Sequence, residues 1–189
     1  MLTVRLFIAI EIPSEIRSGI GAVIRELKAA NADVKWEQTD KLHITLKFLG
    51  EAGERRVPDI LSALESVGRE YHPFPIRYAA LGCFPARREP RIIWIGVEEG
   101  GSVLQQLVHS IDESMLYFGF QKEERKFHAH VTIGRVKSQR NIRNLLSRME
   151  TITFESQPTT ISELALVKSE LKPSGSVYTI LHRIPLHHH

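Results

Sequence analysis

Leu42-His43-Ile44-Thr45-Leu46-Lys47-Phe48 and Phe127-His128-Ala129-His130-Val131-Thr132-Ile133 decide how this chain is read. Both alternate apolar and polar residues with the period of two that marks a half-buried strand. In the first, Leu42, Ile44, Leu46 and Phe48 point one way, and Lys41, His43, Thr45 and Lys47 the other. In the second, Phe127, Ala129, Val131 and Ile133 take the core face, and His128, His130 and Thr132 the opposite one. Each strand therefore presents one imidazole and one hydroxyl together, while its apolar residues hold it in place.

The surroundings of the two strands match. The continuous apolar run Leu6-Phe7-Ile8-Ala9-Ile10 precedes the first and reads as a strand buried on both faces. A helix over 14–30 follows it, with Ser14 at the N-cap and Ile16, Ile20, Val23, Ile24 and Leu27 at helical spacing. Before the second come the apolar strand Ile92–Val97 and a helix opened by Gly100-Gly101-Ser102, with Ser102 and Gln105 spaced as a capping box. A further helix follows each alternating strand, marked by Val57, Ile60, Leu61, Leu64 and Val67, then by Ile142, Leu145, Leu146 and Met149. Strands are expected at 74–84, 151–155, 160–168 and 176–183. The chain is thus an internal repeat of two β-α-β-α units, roughly 1–85 and 86–186. Neither unit covers its own apolar face, so the two are expected to form one bilobal domain, 1–186. The terminal 187–189 read as a tag remnant.

Composition narrows the function. With 189 residues, 42% hydrophobic and 25% charged, the chain can bury a real core, which excludes disorder, collagen and coiled coil as its main state. A formal charge of +3 is too small to prove a nucleic-acid partner by itself. The one cysteine, Cys83, cannot form an internal disulfide, which points to a reducing, cytoplasmic compartment. No apolar run approaches the ~20 residues of a membrane helix. A monomer is the expected state.

Two imidazoles and two hydroxyls converging on one cleft suit displacement at phosphorus. An imidazole titrates near pH ~6.5, so a neutral and a protonated ring coexist near neutrality. One takes a proton from water and the other gives one to the leaving oxygen, while Thr45 and Thr132 donate hydrogen bonds to the non-bridging oxygens. This chemistry calls for no metal and no cofactor. The residues give the two roles but not which histidine takes which.

The doubled His-x-Thr-hydrophobic pattern resembles the 2H phosphoesterase superfamily, and within it the RNA 2′,3′-cyclic phosphodiesterases, also called the 2′-5′ RNA ligase family. The likeness runs through Arg5–Ile10, Leu42–Gly50, Gly82–Pro85, Pro90–Trp94 and Phe127–Arg135. It implies an α+β fold with pseudo-two-fold symmetry, in which two antiparallel sheets line a central cleft and the helices lie outside. It implies hydrolysis of a terminal RNA 2′,3′-cyclic phosphodiester to a 2′-phosphomonoester, with RNA 3′ ends or small cyclic-phosphate nucleotides as partners. By that resemblance His43 is the general acid, His130 the general base, and Thr45 and Thr132 hold the phosphoryl oxygens. Run backwards, the same residues would join RNA ends through a 2′-5′ bond; a non-catalytic RNA-binding module would use the same scaffold.

Other residues fill in the cleft. Lys47 shares the face of His43 and Thr45 and is a candidate phosphate contact. Arg135 has core parity, but a bulge at Gly134 would turn it toward the cleft. His128 is a candidate substrate contact, or one of two ligands of a strand zinc site with His130. Phe48, Phe127 and Trp94 read as packing residues. Arg125, Lys126, Arg135, Lys137, Arg140, Arg143 and Arg148 form a run without an acid, and Arg87, Arg88 and Arg91 a second cluster. Both are candidate rims for an RNA backbone.

Overall fold

The computed structural model describes residues 2–173 and 175–187. Its elements are β1 (Thr3–Glu11), α1 (Ser14–Lys28), β2 (Val34–Trp36), β3 (His43–Gly53), α2 (Val57–Arg69), β4 (Phe74–Phe84), β5 (Ile92–Glu99), α3 (Gly101–Tyr117), β6 (His130–Val136), α4 (Ile142–Thr151), β7 (Thr159–Ile161), β8 (Glu163–Lys172) and β9 (Gly175–Pro185). Every strand pairing is antiparallel, in the order β7-β4-β5-β6-β3-β1-β8-β9, with β2 on the free stretch of β6. The fold is α+β, a curled antiparallel sheet with four helices and two repeated halves. β3, β1, β8 and β9 make the first lobe; β6, β5, β4 and β7 make the second. The sheets of the two lobes meet at one residue pair, Ile44 with Val131, the central residues of the two His-x-Thr motifs.

The main core lies on the helical face. There Ile8, Ile10, Ile44, Ile93, Ile95, Val131 and Ile133 meet Ile20 and Leu27 of α1, Ile60 and Leu64 of α2, and Leu104, Leu107 and Ile111 of α3, all essentially unexposed. Each such side chain contributes roughly 1.5–3 kcal/mol on burial. Because β1 is apolar on both faces, it also feeds a small second cluster on the opposite, concave face: Phe7, Ala9, Ala165 and Val167, flanked by Tyr178 and Ile180.

Of the register shifts in the sheet, one in each motif strand bears directly on the site. Along β1–β3 the register passes from Ile8–Lys47 to Ala9–Thr45, leaving Leu46 unopposed. Along β5–β6 it passes from Ile93–Gly134 to Trp94–Thr132, leaving Ile133 unopposed. Both extra residues stand three positions after the motif histidine, so the repeat includes this irregularity. A bulge inverts the alternation beyond it. This overturns two expectations at once. Lys47 does not share the face of His43 and Thr45: it turns into the core, 6% exposed, and pairs with the carboxylate of Asp112 on α3, also 6% exposed. Its Nζ also donates to the Gln121 carbonyl at 2.8 Å. Phe48, read as packing, turns the other way and is 64% exposed.

Smaller differences have local causes. α1 begins after Pro13 and α3 after Gly100, whose φ of +80° suits glycine, and neither has a side-chain cap; the Ser14 cap and the Ser102–Gln105 box do not form. The strand expected at 151–155 is the end of α4 followed by one isolated bridge, Ala79 to Glu155. β2, only three residues long, carried no pattern to find. Of the terminal histidines set aside as a tag, His188 and His189 lie outside the described residues, while the His187 N–H donates to the Tyr71 carbonyl at 3.0 Å. Among the described residues no helix is long and apolar enough to cross a membrane.

Removing one partner of a buried ion pair leaves the other charge uncompensated. Asp112→Ala is expected to cost about 3–5 kcal/mol, whereas a Lys47→Met, Asp112→Leu double variant should lie near wild type. Urea denaturation checks both; equal losses in the two variants would contradict the pairing.

Candidate active site

The two motif strands start at their histidines, and this fixes the rings. His43 opens β3 after a short 3-10 turn over Thr39–Lys41, and His130 opens β6 after an irregular segment. In both, the ring Nδ1 lies against the carbonyl oxygen two residues back: His43 with Lys41 at 2.7 Å, and His130 with His128 at 2.6 Å. A carbonyl only accepts, so each Nδ1 carries a hydrogen and each Nε2 is the free, reactive nitrogen. The Ile44–Val131 pair then sets the relative position. In the antiparallel course of β3 and β6, His43 comes beside Thr132 and Thr45 beside His130, all four on the concave face.

Aromatic rings brace both imidazoles. Phe7 lies 5.0 Å from His43, and Tyr178 of β9 stands edge-on to it at 5.3 Å. Phe84 stands edge-on to His130 at 5.1 Å. Behind Phe84 are Trp94 at 5.2 Å and His128 at 5.2 Å, themselves 4.9 Å apart. Trp94 is therefore not a core residue. It lies on the concave side of β5, with its ring in the space that a Gly82 side chain would fill; a Cβ there would come within 2.1 Å of it. Glycine at 82 is the condition for the indole to lie flat on the sheet.

The electrostatics follow from this packing. Burial lowers the pKa of both His43 and His130 below the ordinary histidine value, outweighing the carbonyl hydrogen bonds that favour the charged rings. Glu37 opposes the shift at His43, while Arg135 adds to it at both rings; the two histidines also repel through space. Arg135 is thus near enough to act on both imidazoles. The Ile133 bulge, one residue before the position expected, turned it to the concave face, where it lies 3.4 Å from the Glu37 carboxylate. By its place in the repeat Arg135 corresponds to Phe48.

The structure gathers His43, Thr45, His130, Thr132 and Arg135 on one face, with His128 exposed at its edge, and removes Lys47 from it. Of the second basic cluster, Arg87 is paired with Glu150 on α4 at 2.7 Å. Among the described residues no group of three or more His, Cys, Asp or Glu side chains is placed to hold a metal ion. The alternation of β1 could have pointed to Phe7. Phe84 lies in the Gly82–Pro85 stretch that carried the resemblance, with no role read from it; Tyr178 and Glu37 gave no signal, because their places depend on pairings between distant strands.

The family model described as LigT like Phosphoesterase matches residues 10–94 and again 95–178. The chain is 34% identical over 181 residues to a protein of Methanothermobacter thermautotrophicus named RNA 2′,3′-cyclic phosphodiesterase, covering 94% of this chain and 96% of that one. A protein of the same name from Archaeoglobus fulgidus is 34% identical, over 92% and 96%. Among solved structures, TT0787 of Thermus thermophilus superposes with a TM-score of 0.81 at 27% identity, over 96% of this chain and 97% of that one. Escherichia coli LigT, solved in complex with 3′-AMP, gives 0.74 at 25%, over 98% and 99%.

Because the fold disfavours both imidazolium forms, NMR titration of the free protein is expected to give midpoints below ~6.5 for His43 and His130. The associated stability is present above ~6.5 and lost as pH falls through those lowered midpoints. Arg135→Ala should raise both midpoints; a shift at one ring alone would contradict a shared site.

Proposed function

The chain belongs to the LigT-like phosphoesterase family, and from that premise we propose that it hydrolyses the terminal 2′,3′-cyclic phosphodiester of RNA to a 2′-phosphomonoester. The observation that carries the reading is the matched pair of imidazoles, each with Nδ1 engaged by its own backbone and Nε2 free.

The steps follow from those tautomers. Neutral His130 takes a proton from water at Nε2 as the water oxygen bonds to phosphorus. The P–O3′ bond breaks on the far side, and protonated His43 gives its Nε2 proton to O3′. The 3′-hydroxyl and the 2′-phosphate result, and the two rings recover their starting protonation through solvent. His43 is assigned the acid and His130 the base by family resemblance; the geometry is compatible with either direction. Glu37 favours a charged ring at His43, which supports the same assignment. Thr45, Thr132 and Arg135 carry the negative oxygens. Every proton transfer is made by side chains of this chain, so the reaction as written needs no metal and should be insensitive to EDTA. His128, packed beside Phe84 and Trp94 at the edge of the face, is assigned a contact with the nucleoside rather than the phosphorus.

The test is an RNA oligonucleotide ending in a 2′,3′-cyclic phosphate. The expected product is the 2′-phosphomonoester, and His43→Ala and His130→Ala should each lower kcat/KM by about 10²–10⁴-fold with the fold intact. A 3′-phosphate product, or near wild-type turnover in either variant, would refute the reading.

The pH profile adds a second check. Turnover needs one ring charged and the other neutral, so kcat/KM should be bell-shaped. The maximum lies midway between two free-enzyme values that are both lowered, and is expected on the acid side of ~6.5. A maximum well above pH 7 would contradict it.

A further inference from the structure

We propose that Lys35, Lys137 and Arg140 extend the site into a track for the RNA strand lying 5′ of the reacting end. The inference rests on the hydrolase reading and adds to it a route for the rest of the substrate.

Strand parity places Lys35 and Lys137, and the loop that follows β6 carries Arg140. On β6 the concave face carries His130, Thr132 and, past the Ile133 bulge, Arg135; Lys137 follows two residues later. On β2 the partner of Arg135 is Lys35, which shares its face because paired residues in a sheet do. Trp36, the next residue, turns to the other side and packs against Gly134. Lys35 does point across the cleft: a Cβ added to Gly175, at the start of β9 in the first lobe, would lie 3.5 Å from its Nζ.

The backbone beneath these cations is fixed. The Lys137 N–H donates to the Asp33 carbonyl at 2.8 Å, and the Asp33 N–H to the Arg140 carbonyl at 3.4 Å. The Asn141 side chain donates to the Asn31 carbonyl at 2.9 Å, and the Ser138 hydroxyl to the Asp33 carboxylate at 2.7 Å. The loops before β2 and after β6 are thereby knit into one corner, although one belongs to each sequence half.

Charge pairing leaves the cations of this corner without a carboxylate partner, as it does Arg69 and Arg143 among the described residues; what sets the corner apart is its place beside the site. Elsewhere, Arg87 is paired with Glu150, Lys168 with Glu170, and Arg183 with Glu11 and Glu163. Among the described residues Lys35, Lys137 and Arg140 have no carboxylate in ion-pair range; the Asp33 carboxylate accepts from Ser138, and Glu37 is engaged by Arg135. A row of uncompensated cations that begins at the phosphate-holding face matches a strand of successive phosphates. The seven-residue basic run of the sequence is thus divided, and Lys35, from the other half of the chain, joins it.

The experiment compares 2′,3′-cyclic AMP with an eight-nucleotide RNA ending in a 2′,3′-cyclic phosphate. The protein is wild type, a Lys35→Ala, Lys137→Ala, Arg140→Ala triple variant, or Arg69→Ala on α2 as a control. The triple variant is expected to raise KM for the octamer about tenfold at low salt, with kcat and the mononucleotide KM unchanged. The dependence of log KM on log salt should become shallower by about two, since each phosphate contact on a single strand contributes about 0.7. Arg69→Ala should match wild type. An unchanged octamer KM and salt slope, or equal losses on both substrates, would overturn the track. If wild type turns over neither substrate, the hydrolase reading fails. The track is then judged by the binding of an octamer ending in a 2′-phosphate, where undiminished affinity in the triple variant overturns it.

Discussion

A hydrogen bond spanning two residues, from an imidazole Nδ1–H to its own backbone carbonyl, determines what each half of this protein can do. It occurs at His43 with Lys41 and at His130 with His128, at 2.7 and 2.6 Å. In both halves the histidine is the first residue of its strand, and the accepting carbonyl, two residues back, lies outside that strand. It leaves Nε2 as the only nitrogen free to exchange a proton. The aromatic rings around Phe7 and Phe84 then restrict ring rotation and withdraw the imidazoles from water. The lowered pKa values are a consequence of that enclosure. A lowered midpoint keeps the base unprotonated near neutrality, and a ring already oriented needs no reorganisation as the proton moves.

The duplication explains the symmetry, and its failures give direction. Both strands bulge three residues after the histidine, yet the residues turned by the bulge differ. The position of buried Lys47 is held by Gly134 in the second half, and that of exposed Phe48 by Arg135. Ala9, low on the concave face of the first lobe, corresponds to Trp94 in the second. The first lobe thus offers an apolar surface of Phe7, Phe48 and Tyr178, and the second a cation beside an aromatic stack. A symmetric cleft would bind a phosphate but would not distinguish one end of an RNA strand from the other. The asymmetric one has a charged side and an apolar side.

Much of this was legible in the residues. Alternation placed His43, Thr45, His130 and Thr132 on strands, and repetition in matching surroundings brought them together. What alternation could not carry was its own interruption. Leu46 and Ile133 look like ordinary inward residues, and only the partner strand reveals that nothing opposes them. Every misplacement downstream has this origin: Lys47 assigned to the cleft, Phe48 to the core, Arg135 left to a bulge at the neighbouring residue. Trp94 was misread for a related reason. Its place on the concave face depends on the empty side of Gly82, a residue on another strand. Local pattern specifies the elements, whereas cross-strand register specifies the site.

In the function proposed, two imidazoles from separate halves grip a single phosphate. Titration of the protein with 2′-AMP, followed at the imidazole Hε1 resonances by NMR, decides whether they do. The expected result is that His43 and His130 shift together and saturate at one nucleotide per chain. Movement of one resonance alone, or saturation at two nucleotides with the rings responding separately, would contradict it.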